Sequence, residues 1–391
     1  MLGESGTNSN GNLSIIVTEK HLHIVSFNVP FPANYGGVID VFYKLKKLHE
    51  SGVKIILHCF VYDRPEAKEL EEYCFKIYYY KRNTGLLSAL SLTPYIIQSR
   101  KSEELLHNLL KDNYPIVFEG LHSCFYLNHP FLKSRKKIYR ESNIEHHYYY
   151  HLYKAEKSIF KKLYFLSETI KLYFFQSKLK FADEILVVSK EDAYYLSENF
   201  PEKEIKFIPS FHAFDQLSYS EKNGNYVLYH GNFSVAENAV AANYLIDKVY
   251  SKLPDIKFVL AGLNPSDDLK NKVEKFSNIH LIANPVDAQM QQLIAEASIH
   301  TLITFQATGL KLKLLNVLFS GKHCIVNSNM LAGTDLHNAC IIADTADEII
   351  QSIRKWITVP FTENDLKRRE VILKEFMNEH KTQAFMKAVF D

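Results

Sequence analysis

Residues Thr308–Gly321 (TGLKLKLLNVLFSG) combine side chains and spacing suited to holding a phosphorylated ligand. A helix starting near Gly309 carries Lys313 one turn in and Asn316 three residues further, so both side chains lie on one face. Glycine lets a backbone amide approach a phosphate closely, and the helix dipole favours negative charge at that end. Lys313 can then counter a pyrophosphate lodged at the helix N-terminus, with Asn316 reaching an adjacent ribose. The plainer alternative is an ordinary amphipathic helix with a solvated lysine, and it suits Lys311 better than Lys313. Two further glycine corners precede this one, in His230-Gly231-Asn232 and Ala261-Gly262. Turns and helix caps account for most single glycines. Gly231, Gly262 and Gly309, however, follow three strand-like runs of one half of the chain, and that repetition favours a bound phosphate.

Other chemistry-bearing residues are sparse. His147 and His151 stand one helical turn apart and could start a metal site, but no third ligand is evident. Cys59, Cys74, Cys124, Cys324 and Cys340 are scattered without a CxxC pair, the usage of reduced thiols rather than of disulfides or zinc. Nothing resembles an acidic DxD metal site.

The elements that must position these residues alternate. His21–Asn28 is a short apolar run ending in the loop Val29–Gly37 (VPFPANYGG). Val38–Glu50 then places apolar residues at 38, 41, 42, 45 and 48, helical spacing, and Gly52 leads into a strand at Val53–Val61. Strand, helix and strand in this order form a βαβ unit, which implies a parallel sheet. Pro115–Glu119 and Ile185–Ser189 are further runs of the buried-strand kind. The alternation restarts with Tyr226–Tyr229, a helix from about Asn238 to Leu253, and strands at Lys257–Leu260, Ile279–Ile282, Ile299–Ile303 and His323–Val326.

At 391 residues the chain exceeds one ordinary core. The expected division is a disordered leader (1–20), a first α/β domain (21–212), a linker (213–224), a second α/β domain (225–362), and a C-terminal helix (363–391) packing back across the seam. Two doubly wound sheets joined there would leave a ligand cleft between the domains.

A formal charge of +2 argues against a dedicated nucleic-acid binder, and no apolar run approaches membrane-spanning length. The N-terminus lacks the basic and apolar regions of a signal peptide. Charge is local instead: residues 133–180 hold 12 Lys/Arg against 4 Asp/Glu, a net of +8, interleaved with ten or so tyrosines and phenylalanines. Such a segment either packs with a solvated basic face or docks on an anionic membrane surface.

From about residue 22 to 380 the chain resembles the retaining glycosyltransferases of family 4 (glycosyl transferases group 1), whose GT-B fold sets two Rossmann-like domains face to face. The likeness rests on an ordered series: Tyr35-Gly36-Gly37, Ala182-Asp183-Glu184-Ile185 with Val188-Ser189, Ile208-Pro209, His230-Gly231-Asn232 with Asn238, Leu260-Ala261-Gly262, and Gly309-Leu310-Lys311-Leu312-Lys313 with Gly321. It implies transfer of a sugar from a nucleotide-diphosphate sugar to a glycan or lipid-linked acceptor, retaining and metal-independent, with no cofactor. The cysteine usage fits a cytoplasmic setting, and the basic segment, if it docks rather than packs, would hold the chain peripherally at the inner membrane surface. By resemblance, Gly36 and Gly37 face the donor phosphates, Gly231, Gly309, Leu310 and Lys313 hold the diphosphate, Gly262 belongs to the donor side, and Asn316 binds ribose. Glu119 or His122, in Phe118–His122 (FEGLH), falls where many members keep a histidine near the transferred sugar, and His122 is favoured.

The chain also departs from the family. Thr308 and Asn316 stand where members carry two glutamates, and Asn232 and Glu237 where many carry arginine and lysine. Those departures keep open a non-catalytic partner of the same fold in a glycan-assembly complex. A nucleotide-sugar epimerase of the same shape is a third possibility.

Overall fold

The computed structural model describes residues 19–85, 88, 91–222, 224–306 and 311–391. It contains two parallel sheets. The first takes β1 (His21–Ser26), β2 (Lys54–Val61), β3 (Lys76–Lys81), β4 (Ile116–Glu119), β5 (Lys137–Arg140), β6 (Glu184–Val187) and β7 (Glu204–Phe207), in spatial order β3-β2-β1-β4-β5-β6-β7. The second takes β8 (Tyr226–His230), β9 (Lys257–Gly262), β10 (Ile279–Ala283), β11 (Ile299–Leu302), β12 (His323–Val326) and β13 (Ile341–Ile342), in order β10-β9-β8-β11-β12-β13. Both orders reverse direction once, between β1 and β4 and between β8 and β11. Such switch points open a crevice at the carboxyl ends of the strands.

The central strands are continuous apolar runs because helices cover both faces of each sheet. Ile116–Glu119 and Tyr226–His230 are buried at every position. Each sheet carries one apolar cluster on either face, so there are two separate cores.

Helix α1 (Gly36–Glu50) turns Val38, Val41, Leu45 and Leu48 onto the first sheet and stops at Ser51-Gly52, where Gly52 takes the left-handed φ of 80° that closes it. Its inner face also carries charge. Asp40 lies 3.2 Å from Lys44 and 3.3 Å from Arg140, and Lys44 reaches Glu119 at 2.8 Å. The Phe211 amide donates to Asp40, and Arg140 donates to the Ile208 carbonyl. These buried charges tie α1, β4 and β5 to the segment leaving the first domain. Arg140 and Lys44 together hold the Asp40 carboxyl well below its ordinary range.

Helices α2 (Glu145–Ala155) and α3 (Ile159–Gln176) form an antiparallel hairpin on the first domain. In the second domain, α4 (Ala236–Lys248) follows β8, and α5 (Leu312–Ser320) precedes β12.

The C-terminal stretch is two helices, not the single one expected. Helix α6 (Glu363–Ile372) stays on the second domain, where Arg369 donates to the carbonyls of Leu318, Gly321 and Lys322. Helix α7 (Asn378–Phe390) packs Phe385, Ala388 and Val389 into the first domain. The chain breaks between them because Phe376 anchors in one core and Phe385 in the other. Asn378 and Lys381 then clamp the seam by donating to the carbonyls of His212 and Ser210.

Candidate functional site

Between the domains lies a cleft of about 490 Å³ at the ends of β1 and β4. Its first-domain wall is built from Phe27, Tyr35, Gly36, Gly37, Tyr62, Arg100, His122 and Glu145, and its second-domain wall from Lys311 and Leu312.

Gly36 and Gly37 open α1, and its N-terminus faces this space. Space around Gly36 is open, whereas a Cβ on Gly37 would meet the Phe27 ring at 2.8 Å. Gly37 therefore allows the ring of Phe27 to close the floor of the cleft. Gly120, after β4, takes φ 67°, a left-handed turn that directs the next residues back across the sheet end. His122 follows and packs 5.4 Å from Phe27. Its side chain is 21% exposed, and its Nδ1 lies 3.7 Å from a Glu145 carboxylate oxygen. Burial, reinforced by the charges of Arg100 and Arg82, pushes the His122 ring well below its ordinary pKa, so it is neutral at physiological pH. Burial raises the Glu145 carboxyl to about 8 although Arg100 pulls it down.

Glu119, the other candidate of its loop, is engaged with Lys44 in the buried charge network. It lines the bottom of the cleft and serves as a brace. His147 meets the Tyr195 ring edge-on at 4.9 Å, and no group of three metal-ligating side chains occurs among the described residues.

On the second domain, Gly231 follows β8, and a Cβ there would meet Asn238 at 3.1 Å. Gly262 ends β9 for a different reason. A Cβ on it would fall 1.7 Å from the Gly231 carbonyl oxygen, so glycine is needed for the two corners to touch, and Gly262 is not among the residues lining the cleft. Gly309, Leu310 and Thr308 lie outside the described residues.

Helix α5 begins at Leu312, with Lys311 as its extended N-cap residue, so Lys313 is in the first turn and Asn316 in the second. Lys313 donates to Asn238 Oδ1 at 2.8 Å and sits 5.2 Å over the Tyr229 ring. Burial lowers its pKa to about 8, Glu237 opposing and Lys311 adding to the shift. The Asn316 carbonyl oxygen is buried and has no hydrogen-bond partner among the described residues.

Lys311 is not the solvated lysine expected. Its side chain is only 16% exposed, lines the cleft, and lies 3.6 Å from Glu237. The cap position points it at the other domain, which the amphipathic pattern of α5 alone does not show. Lys311, Lys313, Asn238 and Glu237 thus form one cluster at the start of α4 and α5. The first-domain contributors Tyr62, Arg100 and Glu145 had no signal in the sequence beyond their residue type.

No protein-family model matches the chain. An "Uncharacterized 44.6 kDa protein in cps region" of Klebsiella pneumoniae is 26% identical over 350 residues, covering 84% of this chain and 88% of that one. Among solved structures, TarM superposes with a TM-score of 0.68 at 11% identity, over 96% of this chain and 99% of its own. HepE of Anabaena, solved with UDP and glucose, gives 0.61 at 12% identity over 94% and 98%. The GtfA/B complex gives 0.61 at 10% identity over 95% and 99%. Likeness at such low identity establishes architecture: the chain has the GT-B fold, two Rossmann-like domains facing each other across a cleft.

Proposed function

We propose that the chain is a glycosyltransferase that moves a hexose-type sugar from a nucleotide-diphosphate sugar to a glycan or lipid-linked acceptor, with retention and without a metal. The observation that carries this proposal is the cleft itself. It brings the N-terminus of α1, with Gly36 and Gly37, opposite Lys311 and the start of α5. A helix N-terminus and a lysine converging on one space suit a diphosphate.

In the reaction, the bond from the sugar C1 to the diphosphate oxygen breaks, C1 bonds to the acceptor hydroxyl oxygen on the same face, and the hydroxyl proton passes to the departing diphosphate. Lys313, with Gly231 and the segment Gly309-Leu310, stabilises the departing diphosphate, the point where charge grows in the transition state. Asn316 offers its side-chain oxygen, unpartnered among the described residues, to a ribose hydroxyl. His122, neutral and at the edge of the cleft, faces the transferred sugar as a hydrogen-bonding group. No side-chain nucleophile is assigned. The HepE structure with UDP makes uridine the first base to try.

The test is a panel of uridine- and guanosine-diphosphate sugars with lysate-derived acceptors, reading release of nucleoside diphosphate. Donor-specific release supports transfer. Nucleotide binding without release or transfer from any donor would favour a non-catalytic GT-B partner, a role that Thr308, Asn316 and Asn232 motivate. Sugar interconversion without acceptor would favour an epimerase.

The hairpin of α2 and α3 further supports contact with an anionic membrane. Phe160 and Phe174 are 83% and 69% exposed, and Lys154, Lys157, Lys161 and Lys180 lie exposed on the same hairpin and its exit. Among the described residues no helix is long and apolar enough to cross a membrane. Docking through this hairpin should appear as sedimentation with phosphatidylserine vesicles that weakens with salt and on replacing Lys157, Lys161 and Lys162 by glutamine. Indifference of the unaltered chain to such vesicles at low salt would overturn it.

A further inference from the structure

The first-domain wall holds cationic groups that the proposed donor site does not use. Arg100 is only 2% exposed, yet it lines the cleft. Its Nε donates to the Phe27 carbonyl at 2.8 Å and its Nη1 to the Ile96 carbonyl at 2.5 Å. Among the described residues, Nη2 has no hydrogen-bond partner, and no carboxylate lies within 4.0 Å of the guanidinium. Arg82 stands behind it. Its Nε donates to Ser99, its guanidinium lies 4.3 Å from the Tyr62 ring and 5.3 Å from the Tyr95 ring, and no described carboxylate pairs with it either. Arg100 faces the same Tyr62 ring at 5.6 Å, so the two cations bracket one aromatic side chain.

A buried guanidinium without a counterion is costly unless something supplies one. Arg100's charge acts on Glu145, but burial still raises that carboxyl to about 8, so it is mostly uncharged at neutral pH and does not neutralise the pair. The neutral His122 does not either. The unanswered charge therefore faces the cleft, which Tyr35 and Tyr148 line with rings that could stack on a sugar and Ser142 and Asn143 line with hydrogen-bonding groups. On the other wall the lysines already face Glu237 and Asn238.

We propose that Arg100, backed by Arg82, binds an anionic substituent of the acceptor, a carboxylate or a phosphate, on the first-domain side of the cleft. Arginine's planar fork suits either oxyanion. The assignment to the acceptor rests on the transferase function proposed above; the anion site itself does not.

Paired probes test it by saturation-transfer NMR titration of the full chain, with and without UDP or GDP. Methyl glucuronide is compared with methyl glucoside, and glycerol 1-phosphate with glycerol. The unaltered protein should prefer one anionic probe to its neutral twin by about tenfold, the order of one charge-assisted hydrogen bond. Arg100→Gln should reduce that ratio to near one, Arg100→Lys should retain part of it, and Arg82→Gln should fall between. Thermal unfolding of each variant separates a lost site from a lost fold, and Arg82→Gln keeps the test alive if Arg100→Gln does not fold.

Equal binding of both twins to the unaltered protein would overturn the site, as would an undiminished preference in folded Arg100→Gln. If Arg100→Gln weakens UDP or GDP binding as much as Lys313→Ala does, the arginine serves the donor phosphates and the acceptor assignment fails. If no nucleotide binds while the anion preference persists, the transferase proposal fails and the anion site stands.

Discussion

The two walls of the cleft are built by different means. The second-domain side uses backbone corners and residues close together in sequence: Lys311 and Leu312 line the cleft itself, while Gly231, Glu237, Asn238, Lys313 and Asn316 belong to the adjoining corners and do not line it. One acid answers its cations: Glu237 lies 3.6 Å from Lys311 and its charge also acts on Lys313, which donates to Asn238. The first-domain wall draws single side chains from separate segments, Phe27, Tyr35, Tyr62, Arg100, His122 and Glu145, and among the described residues leaves Arg100 without a carboxylate. The difference fits a division of labour. A phosphate can be held by helix ends, which any βα corner provides, while a sugar acceptor must be recognised by side chains in a particular arrangement.

The walls also differ in support. Beneath Gly36 and Gly37 the first domain rests on buried charges, Asp40, Lys44, Glu119 and Arg140, whereas Gly262 under the second rests on backbone contact with Gly231. Removing one partner from a buried network strands the others. Lys44→Ala should cost about 3–5 kcal/mol of stability, the range for breaking a buried ion pair. Urea unfolding would show it, and a loss under 1 kcal/mol would mean the network is dispensable and the first-domain wall stands on its apolar packing.

Next in size is the contrast between the two lysines of α5. Lys313→Ala should weaken binding of the nucleoside diphosphate by about 1.5–3 kcal/mol, the range for a hydrogen bond to a charged group. Lys311→Ala should cost less, since part of its charge is already answered by Glu237. Calorimetry on both variants decides, and equal losses would make the pair one site. The pH dependence gives an independent check. Burial lowers Lys313 to about 8 in the free protein. As pH rises through that value the lysine loses its proton, so nucleotide affinity should fall, and this fall should vanish in Lys313→Ala. The stability linkage has the opposite sign: with a lowered folded pKa, the penalty for burying charged Lys313 is full below about 8 and is relieved between there and the ordinary lysine range. Affinity and stability should therefore move in opposite directions.

The contrast between the walls also explains what the sequence revealed. The paired α/β domains were legible from buried runs such as Ile185–Ser189 and from glycine corners, because both are local patterns. Strands β3, β5 and β7 were not: Lys76–Lys81 and Glu204–Phe207 are edge strands whose charged residues reach solvent, and Lys137–Arg140 is an interior strand of four whose Arg140 is buried against Asp40. The candidate residues of the second domain stood out by spacing. Arg100 and Glu145 did not, because burial of a charged side chain is decided by segments far away in the chain. Lys311 was misread for the same reason, its surroundings being set by α4 and by the facing domain.

The smallest expected effects test whether the walls act at different stages. The proposed function puts His122 on the sugar side and Asn316 on the nucleotide side, so their losses should separate. Asn316→Ala should weaken nucleotide binding by about 0.5–1.5 kcal/mol, the net range for one neutral hydrogen bond, and change turnover little. His122→Ala should leave nucleotide affinity nearly intact and lower kcat, because a contact to the sugar that strengthens as the C1 bond breaks matters chiefly in the transition state. The neutral ring accounts for the pH behaviour: held well below its ordinary pKa, His122 should contribute no activity change between about pH 6 and 8. Titration calorimetry with nucleoside diphosphate and steady-state kinetics on an active donor and acceptor supply the two measurements. If His122→Ala weakens nucleotide binding as much as Asn316→Ala, the histidine belongs to the donor phosphates and the division between the walls is wrong. If neither variant changes either quantity, the functional contacts lie elsewhere in the cleft, and Arg100 becomes the residue to probe first.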